Sequence, residues 1–135
     1  MITAYIDGGS RGNPGPAGYG VQVVDEDGTI LAELHESVGA TTNNVAEYEG
    51  LLAALGWAID HGVKALHIRS DSELLVKQLK GEYRVKNAGL QPLFQQARAR
   101  IARIGRVSFE HVRRELNKEA DRLANLAMDQ ASSGQ

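Results

Sequence analysis

Residues 2–24 read ITAYIDGGSRGNPGPAGYGVQVV and decide how the fold begins. The first five of these residues are rich in β-branched and aromatic side chains, which predicts a strand that ends at Asp7. Glycines and prolines crowd residues 8–18, so we expect a loop without regular structure there. Apolar side chains then alternate over residues 19–25, as they do in a half-buried strand. The stretch therefore predicts two strands joined by a glycine-rich loop.

Changes in hydrophobic periodicity predict the next two elements. Asp27-Gly28 separates two alternating runs, so a hairpin joins the second strand to a third strand over residues 29–37. Apolar residues recur every three or four positions from Val45 to Ile59, which predicts a helix. The residues before that helix suit its N-terminal cap, namely Thr42, Asn43 and Asn44.

The second half of the chain alternates strands and helices. We expect a strand over 64–70, helices over 72–80 and 90–104, a strand over 107–112, and a final helix that Asn117 caps. The order βββαβααβα predicts an α/β fold with a five-stranded mixed sheet flanked by helices, three antiparallel strands preceding the parallel ones. One domain is expected over residues 1–130, with residues 131–135 as a disordered tail.

The composition excludes several classes of protein. The chain has 135 residues, 42% of them hydrophobic and 24% charged, which is typical of a folded domain and not of a disordered chain. No cysteine is present, so disulfides and thiolate metal sites are excluded. We find neither an export signal nor an apolar run long enough to span a bilayer, and we expect a cytoplasmic protein without a membrane partner.

Charge is distributed unevenly along the chain. The formal net charge is −2, yet residues 1–79 carry four basic and eleven acidic side chains, whereas residues 80–122 carry eleven basic and five acidic ones. Such asymmetry suggests a polyanionic partner. The alternative, that the basic residues only solvate helix faces, remains open at this point.

Four acidic residues stand where the predicted elements would bring them together. Asp7 and Asp71 end the first and fourth strands, and Glu47 and Asp121 occupy the first turns of two helices. Ligands of open α/β sheets bind at the carboxyl ends of strands, and clustered carboxylates repel one another unless a cation lies between them. An all-oxygen site suits Mg²⁺ or Mn²⁺. Taken singly, each residue also fits a cap, a turn or a favourable charge at a helix N-terminus.

Four segments of the chain resemble motifs of type 1 ribonuclease H, and the likeness extends over roughly residues 3–128. The segments are DGGSRGNPGPAGYG at 7–20, TTNNVAE at 41–47, SDS at 70–72 and NKEAD at 117–121. The resemblance implies an endonuclease that hydrolyses the RNA strand of RNA–DNA hybrids, largely regardless of sequence, and leaves 5′-phosphate and 3′-hydroxyl ends. The glycine-rich segment itself does not resemble a nucleotide-binding loop, since no GxxxxGK[ST] pattern is present.

The resemblance also implies roles for individual residues. Asp7, Glu47, Asp71 and Asp121 would be the catalytic residues and would hold two Mg²⁺ ions, for which Mn²⁺ can substitute. Asp7 would bridge the ions, one shared with Asp121 and the other with Glu47 and Asp71. The family's substrate contacts fall on Asn13, Asn43 and Asn44 for 2′-hydroxyl groups and on Thr42 and Asn87 for a phosphate of the DNA strand.

Two departures mark this chain as a short form of the family. The loop at 112–117 reads VRRELN and lacks the histidine that many members carry. Arg113, Arg114 or Glu115 would take over part of that role, and Arg114 is the first candidate. Residues 80–89 contain no basic handle helix, which leaves Lys80, Arg84, Lys86 and Arg113 as candidate contacts for the substrate. The main alternative is a catalytically weak nucleic-acid-binding module of the same fold. The chain is expected to be a monomer.

Overall fold

A single five-stranded mixed sheet forms the centre of the computed structural model, which describes residues 1–133. The strands are β1 (Ile2–Ser10), β2 (Gly15–Val24), β3 (Ile30–Thr41), β4 (Ala65–Ser70) and β5 (Arg106–His111). They lie in the order β3-β2-β1-β4-β5. The first three strands pair antiparallel, and β4 pairs parallel with both β1 and β5. The predicted fold class is confirmed.

Four helices connect and cover the strands. They are α1 (Asn43–Asp60), α2 (Glu73–Leu79), α3 (Gln91–Ile104) and α4 (Lys118–Ser133). A 3₁₀ turn over Arg114–Leu116, which the sequence did not predict, precedes α4. Within residues 1–133, no helix combines the length and apolar character that a membrane crossing requires.

The glycine-rich segment is more regular than we expected. Both strands extend into it, β1 through Ser10 and β2 from Gly15, so only four residues form the turn between them. The pairs Gly8–Tyr19 and Gly9–Gly18 continue the antiparallel ladder. The prediction of a loop over residues 8–18 was wrong because the ladder and the covering helices stabilise glycines that have low intrinsic strand propensity.

Strand β3 ends four residues later than its alternating pattern indicated, at Thr41. Its pairing with β2 shifts register between Ala17 and Gly18, where Gly18 pairs with Ser37 and Ala17 with Gly39. The extra residue, Val38, is a bulge, and Gly39 beside it has a positive φ of 76°. A bulge interrupts the alternation of side chains, so periodicity alone ended the strand at residue 37.

Helices α1 and α4 also differ from their predicted bounds. The Thr42 hydroxyl accepts a hydrogen bond from the Val45 amide at 3.2 Å, so Thr42 is the N-cap and α1 begins two residues before the predicted start. Helix α4 continues to Ser133, with Ala131 only 9% exposed. The expected disordered tail is therefore helical over residues 131–133, because apolar contact continues past residue 130. Residues 134 and 135 lie outside the described part of the chain.

Helices α1 and α4 pack on opposite faces of the sheet. Consecutive residues of a strand point to opposite faces, and in β1 a Cβ at Gly8 would meet the backbone of Ala46 in α1, whereas one at Gly9 would meet Met128 in α4. The larger core lies on the α1 side and includes the fully buried Ile6 and Leu51. The α4 face is built mostly from small residues, so α4 lies close to the β1–β2 ladder.

This geometry makes neighbouring glycines unequal. A Cβ at Gly8 would lie 2.5 Å from the backbone of Ala46 and Glu47, whereas a Cβ at Gly9 would meet side chains at ordinary contact distance, Met128 at 3.5 Å and Asn43 at 3.6 Å. We expect Gly8→Ala to lower the free energy of unfolding by about 1–3 kcal/mol, because α1 must move. Gly9→Ala is the matched control and should change it by less than about 0.5 kcal/mol. Urea denaturation measures both, and equal losses would contradict the packing argument.

Candidate active site

Unequal strand length brings Asp7 beside Asp71. The parallel pairing of β1 with β4 ends at Ile6 and Ser70, and the next residue of each strand is an aspartate. Strand β4 stops there, whereas β1 runs on for four more residues. Asp7 therefore lies inside its strand, whereas the sequence had indicated that the strand ends at this residue. It still borders the carboxyl end of β4, where α/β sheets bind ligands.

Helix α1 supplies Glu47 from the larger core side. The absence of a side chain at Gly8 lets the Ala46–Glu47 backbone lie directly against β1, next to Asp7. Ser72, the N-cap of α2, donates a hydrogen bond to Glu47 Oε1 at 3.3 Å. Because α1 begins at Asn43, Glu47 lies beyond the first turn. The helix dipole therefore gives little reason for an acidic residue at this position.

Helix α4 supplies Asp121 from the opposite face. Asp7 pairs with Gly20 of β2, and a Cβ at Gly20 would overlap the backbone of Ala120 and Ala124. The helix thus lies against the partner of Asp7, and the Asp121 carboxyl comes within hydrogen-bonding contact of Asp7. Asp121 lies in the first turn of α4, as predicted.

Burial and mutual repulsion perturb this cluster strongly. Burial, followed by repulsion from Asp71 and Asp121, raises the pKa of Asp7 to about 8, although the Gly8 amide donates to it at 2.9 Å. Burial raises the pKa of Glu47 to about 7 and, less strongly, that of Asp71. The four predicted carboxylates therefore share one site whose full ionisation is unfavourable in the absence of a counter-charge.

A cavity of about 460 Å³ opens beside these carboxylates. Its lining combines the three acidic residues Asp7, Glu47 and Asp71 with the strand end Gly8–Ser10 and with Asn43, Arg114, Asn125 and Met128. A larger cavity, of about 890 Å³, lies around Tyr83 and Phe94, but the acidic cluster does not line it. The chemistry of the site is thus associated with a smaller, polar cavity.

Asparagine side chains fasten the glycine-rich turn to α1. Asn43 Oδ1 accepts hydrogen bonds from the Ser10 amide at 2.8 Å and the Ser10 hydroxyl at 3.3 Å. Asn13 Oδ1 accepts one from the Asn43 amide at 3.1 Å. The turn and the start of α1 therefore form one hydrogen-bonded unit beside Glu47. These contacts use the side-chain oxygens of Asn13 and Asn43, and the NH₂ group of each is a donor.

The remaining predicted substrate residues lie at different distances from the carboxylates. Thr42 and Asn44 flank Asn43 at the start of α1, Thr42 as its cap and Asn44 with an exposed side chain. Asn87 lies in the α2–α3 connection, exposed, and accepts a hydrogen bond from the Gly89 amide at 2.7 Å. Of the predicted substrate residues, Asn43 lines the cavity, and Thr42 and Asn44 are its chain neighbours at the start of α1. Asn87 lies in the α2–α3 connection and does not line the cavity.

The two departures from the family pattern have clear structural forms. Arg114 stands in the 3₁₀ turn with its Nη2 atom 3.7 Å from Asp121 Oδ1, and its charge opposes the burial-driven rise in the pKa of Asp71. The α2–α3 connection forms turns and irregular backbone without a helix over the described residues 80–90. Tyr83 in this connection is 49% exposed, and the Lys77 ammonium lies 4.9 Å from the centre of its ring.

Sequence reasoning missed how Asn117 is used. We expected its side chain to cap α4, but the Asn117 amide nitrogen donates to the Ile6 carbonyl across the sheet at 2.9 Å. Among the described residues, its side-chain oxygen has no hydrogen-bond partner. Only the Asn117 backbone serves the helix, by accepting from the Asp121 amide at 3.1 Å. Asparagine directly before an apolar-periodic run is the usual signal of a cap, so the sequence contained no sign of the longer-range bond.

Comparisons with known proteins agree with this architecture. Residues 5–127 match the family model described as reverse transcriptase-like. A bifunctional protein of Mycobacterium tuberculosis is 49% identical over 132 residues, which cover 97% of this chain but 36% of that protein. Ribonuclease HI of Halobacterium salinarum is 44% identical over 130 residues, covering 96% of this chain and 65% of that enzyme. Both relatives are therefore longer than this chain.

Solved structures give the same result. The N-terminal RNase H domain of the Mycobacterium tuberculosis protein, solved as a fusion with maltose-binding protein, superposes with a TM-score of 0.95 at 46% identity, covering 98% of this chain and 96% of that one. LC11-RNase H1 in complex with an RNA/DNA hybrid gives 0.93 at 44% identity, with 98% and 99% covered. The resemblance to type 1 ribonuclease H is thus confirmed, and the chain belongs to the reverse transcriptase-like family, within which it has the ribonuclease H fold.

Proposed function

We propose that this chain is an endoribonuclease that hydrolyses the RNA strand of RNA–DNA hybrids. The observation that carries the proposal is the convergence of Asp7, Glu47, Asp71 and Asp121 from four separate elements on one end of the β1–β4 pair. The relative solved with an RNA/DNA hybrid supports the choice of substrate. A pure binding module would gain nothing from an acidic cluster that faces phosphate groups.

The donor chemistry of the cluster fits a divalent cation. Within residues 1–133, no three acidic, histidine or cysteine side chains stand close enough to hold one ion as they are oriented. Still, the raised pKa values of Asp7 and Glu47 indicate a surplus of negative charge that a cation would offset. Carboxylate oxygens are the ligands that Mg²⁺ prefers, and Mn²⁺ accepts the same set. We assign the four carboxylates as the ligands of two such ions.

The reaction follows from these groups. Held by Asp7, Glu47, Asp71 and Asp121, Mg²⁺ would supply Lewis acidity toward the attacking water and toward the charge that develops on the leaving oxygen. Water oxygen attacks the phosphorus, the bond from phosphorus to O3′ breaks, and a proton passes to O3′. The products are a 5′-phosphate and a 3′-hydroxyl. The carboxylates need only hold and orient the reacting groups, because little covalent chemistry falls to the protein.

Selection of RNA would rest on the asparagine-fastened turn. Asn13 and Asn43 use their side-chain oxygens to join the turn to α1, so their NH₂ groups are the donors for 2′-hydroxyl oxygens. Asn44 adds an exposed amide on the same turn of α1. Thr42 and Asn87 would contact the DNA strand through its phosphate. None of these contacts requires a particular base, so cleavage would be largely independent of sequence.

Cleavage of a 5′-labelled RNA–DNA hybrid in Mg²⁺, beside duplex RNA and duplex DNA, tests the proposed activity. The chain should cut only the RNA strand of the hybrid, and EDTA should abolish cleavage. Asp7→Asn should lower the rate by at least roughly 100-fold, because the central charge of the site is lost. Asp27→Asn, at an exposed turn, is the matched control and should cleave normally. Binding of the hybrid without cleavage in either Mg²⁺ or Mn²⁺ would favour the binding-module alternative.

In the absence of metal, the Asp7 carboxyl should make the stability of the fold depend on pH. A carboxyl whose pKa is raised from 3.8 to about 8 in the folded state keeps a proton that the unfolded chain releases, so Asp7 weakens folding progressively as pH rises between those values. Asp7→Asn removes this penalty and keeps an acceptor for the Gly8 amide. In EDTA at pH 8 the variant should melt several degrees above wild type, since one pKa unit corresponds to about 1.4 kcal/mol.

The same comparison at pH 4 provides the control for that prediction. This pH lies close to the unfolded-chain pKa of 3.8, so the unfolded chain has released the proton only in part while the folded state keeps it. Most of the penalty is then absent, and the two melting temperatures should converge. Asp27→Asn should change neither profile, because its side chain is exposed in a turn. A variant no more stable than wild type at pH 8 would rule out the electrostatic penalty at Asp7.

Two neighbouring arginines, Arg113 and Arg114, should affect the kinetics of cleavage in different ways. Arg114 faces Asp121, so Arg114→Ala should lower kcat roughly 10-fold with little change in KM. Arg113 is directed to Glu115, 3.6 Å away, and is a candidate phosphate contact. Arg113→Ala should therefore raise KM and leave kcat nearly unchanged. Steady-state kinetics on one hybrid measures both variants, and identical profiles would show that Arg114 has no special role.

A further inference from the structure

One buried amide connects the elements that carry three of the acidic residues. Asn117 is 1% exposed and lies between the 3₁₀ turn and α4. Its side-chain nitrogen donates to the carbonyl of Ile6, the residue immediately before Asp7. Its backbone carbonyl accepts from the amide of Asp121 at 3.1 Å. A single residue thus contacts the strand that holds Asp7 and the helix turn that holds Asp121.

The same hydrogen bond borders the third acidic residue. Ile6 pairs with Ser70 of β4, and Asp71 follows Ser70 directly, so the carbonyl that Asn117 holds belongs to the strand pair that leads into Asp7 and Asp71. An asparagine offers N–H donors for such a carbonyl. Aspartate at this position would lack both donors and would add negative charge, and an apolar residue would leave the Ile6 carbonyl without its partner.

A purely structural explanation accounts poorly for this residue. A helix cap would use the side-chain oxygen to accept an amide of the first turn, yet that oxygen accepts no hydrogen bond from residues 1–133. Burying an amide oxygen without a partner destabilises the fold. The side chain therefore owes its place to its donor group, which holds the carbonyl next to Asp7.

We propose that Asn117 is a positioning residue, whose amide fixes the Asp7, Asp71 and Asp121 carboxyl groups relative to one another so that they can hold divalent metal. The inference rests on the proposed function, since it takes the three carboxylates as metal ligands. Asn117 itself touches neither substrate nor metal in this proposal. Residues that orient metal ligands typically change metal affinity or activity by about 10–100-fold when they are removed.

The test uses Asn117→Ala and Asn117→Leu, which keeps the branched shape of asparagine without its donors, with Gln22→Ala as the matched control. Gln22 is also a buried amide, 7% exposed, donates at 3.0 Å to Glu33 on the neighbouring strand and does not line the acidic cavity. Isothermal titration with Mn²⁺ alone measures metal affinity without any substrate. Hybrid cleavage gives kcat and KM, each normalised to the folded fraction from circular dichroism.

Both Asn117 variants should bind Mn²⁺ at least roughly 10-fold more weakly, and kcat should fall by about 10–100-fold while KM changes less than about twofold. Gln22→Ala should lose comparable stability but keep wild-type metal affinity and kcat. Wild-type metal affinity in either folded Asn117 variant would overturn the proposal. Should the wild type bind Mn²⁺ but leave the hybrid intact, the proposed function fails, while the titration of the variants still decides the role of Asn117.

Discussion

The contact of two helices with bare backbone in the β1–β2 ladder is the constraint on which this structure depends. Gly8 lets α1 lie against β1 from one face, and Gly20, the ladder partner of Asp7, lets α4 lie against β2 from the other. Any side chain at either position would meet helix backbone, which cannot swing aside as a flexible side chain does. Glu47 and Asp121 reach Asp7 because of these two approaches, so the packing of the core and the geometry of the site have one cause.

That arrangement concentrates negative charge where the solvent screens it poorly. Asp7 and Glu47 both have pKa values raised by burial, and the Gly8 amide and the Ser72 hydroxyl offset only part of the effect. Groups held against their own electrostatic preference are frequent at functional sites, because the fold elsewhere supplies the stability that the site consumes. Here that stability comes from the core between α1 and the sheet, where Leu51, Leu55 and Ile68 are fully buried. The raised pKa values of these carboxyl groups therefore depend on the whole fold, which buries them, and not on the four residues alone.

The sequence predicted the order of the elements, the mixed sheet and the grouping of the four carboxylates, because hydrophobic periodicity and motif spacing are local signals. It failed where a distant contact overrides a local preference. The glycines of the β1–β2 turn read as loop, yet pairing and helix contact make most of them strand. The bulge at Val38 concealed the end of β3, and Asn117 read as a cap although its amide bonds Ile6, 111 positions earlier in the chain. Composition and spacing contain no record of such contacts, so only the three-dimensional arrangement reveals them.

Charge counting along the chain shows the same limit. The basic excess of residues 80–122 suggested a polyanion partner, but several of those charges are committed elsewhere in the fold. Arg100 donates to the Leu52 carbonyl at 2.6 Å, Arg122 pairs with Glu33 and Glu119, and Arg106 lies opposite Ala65, at the far end of β4 from Asp71. The basic group that lines the acidic cavity is Arg114. Binding of a hybrid would therefore depend less on a broad basic surface than on a few charges beside the carboxylates and on hydrogen-bond donors of the turn. Under the proposed function, such a chain would recognise the shape and hydroxyl groups of its substrate more than its total charge.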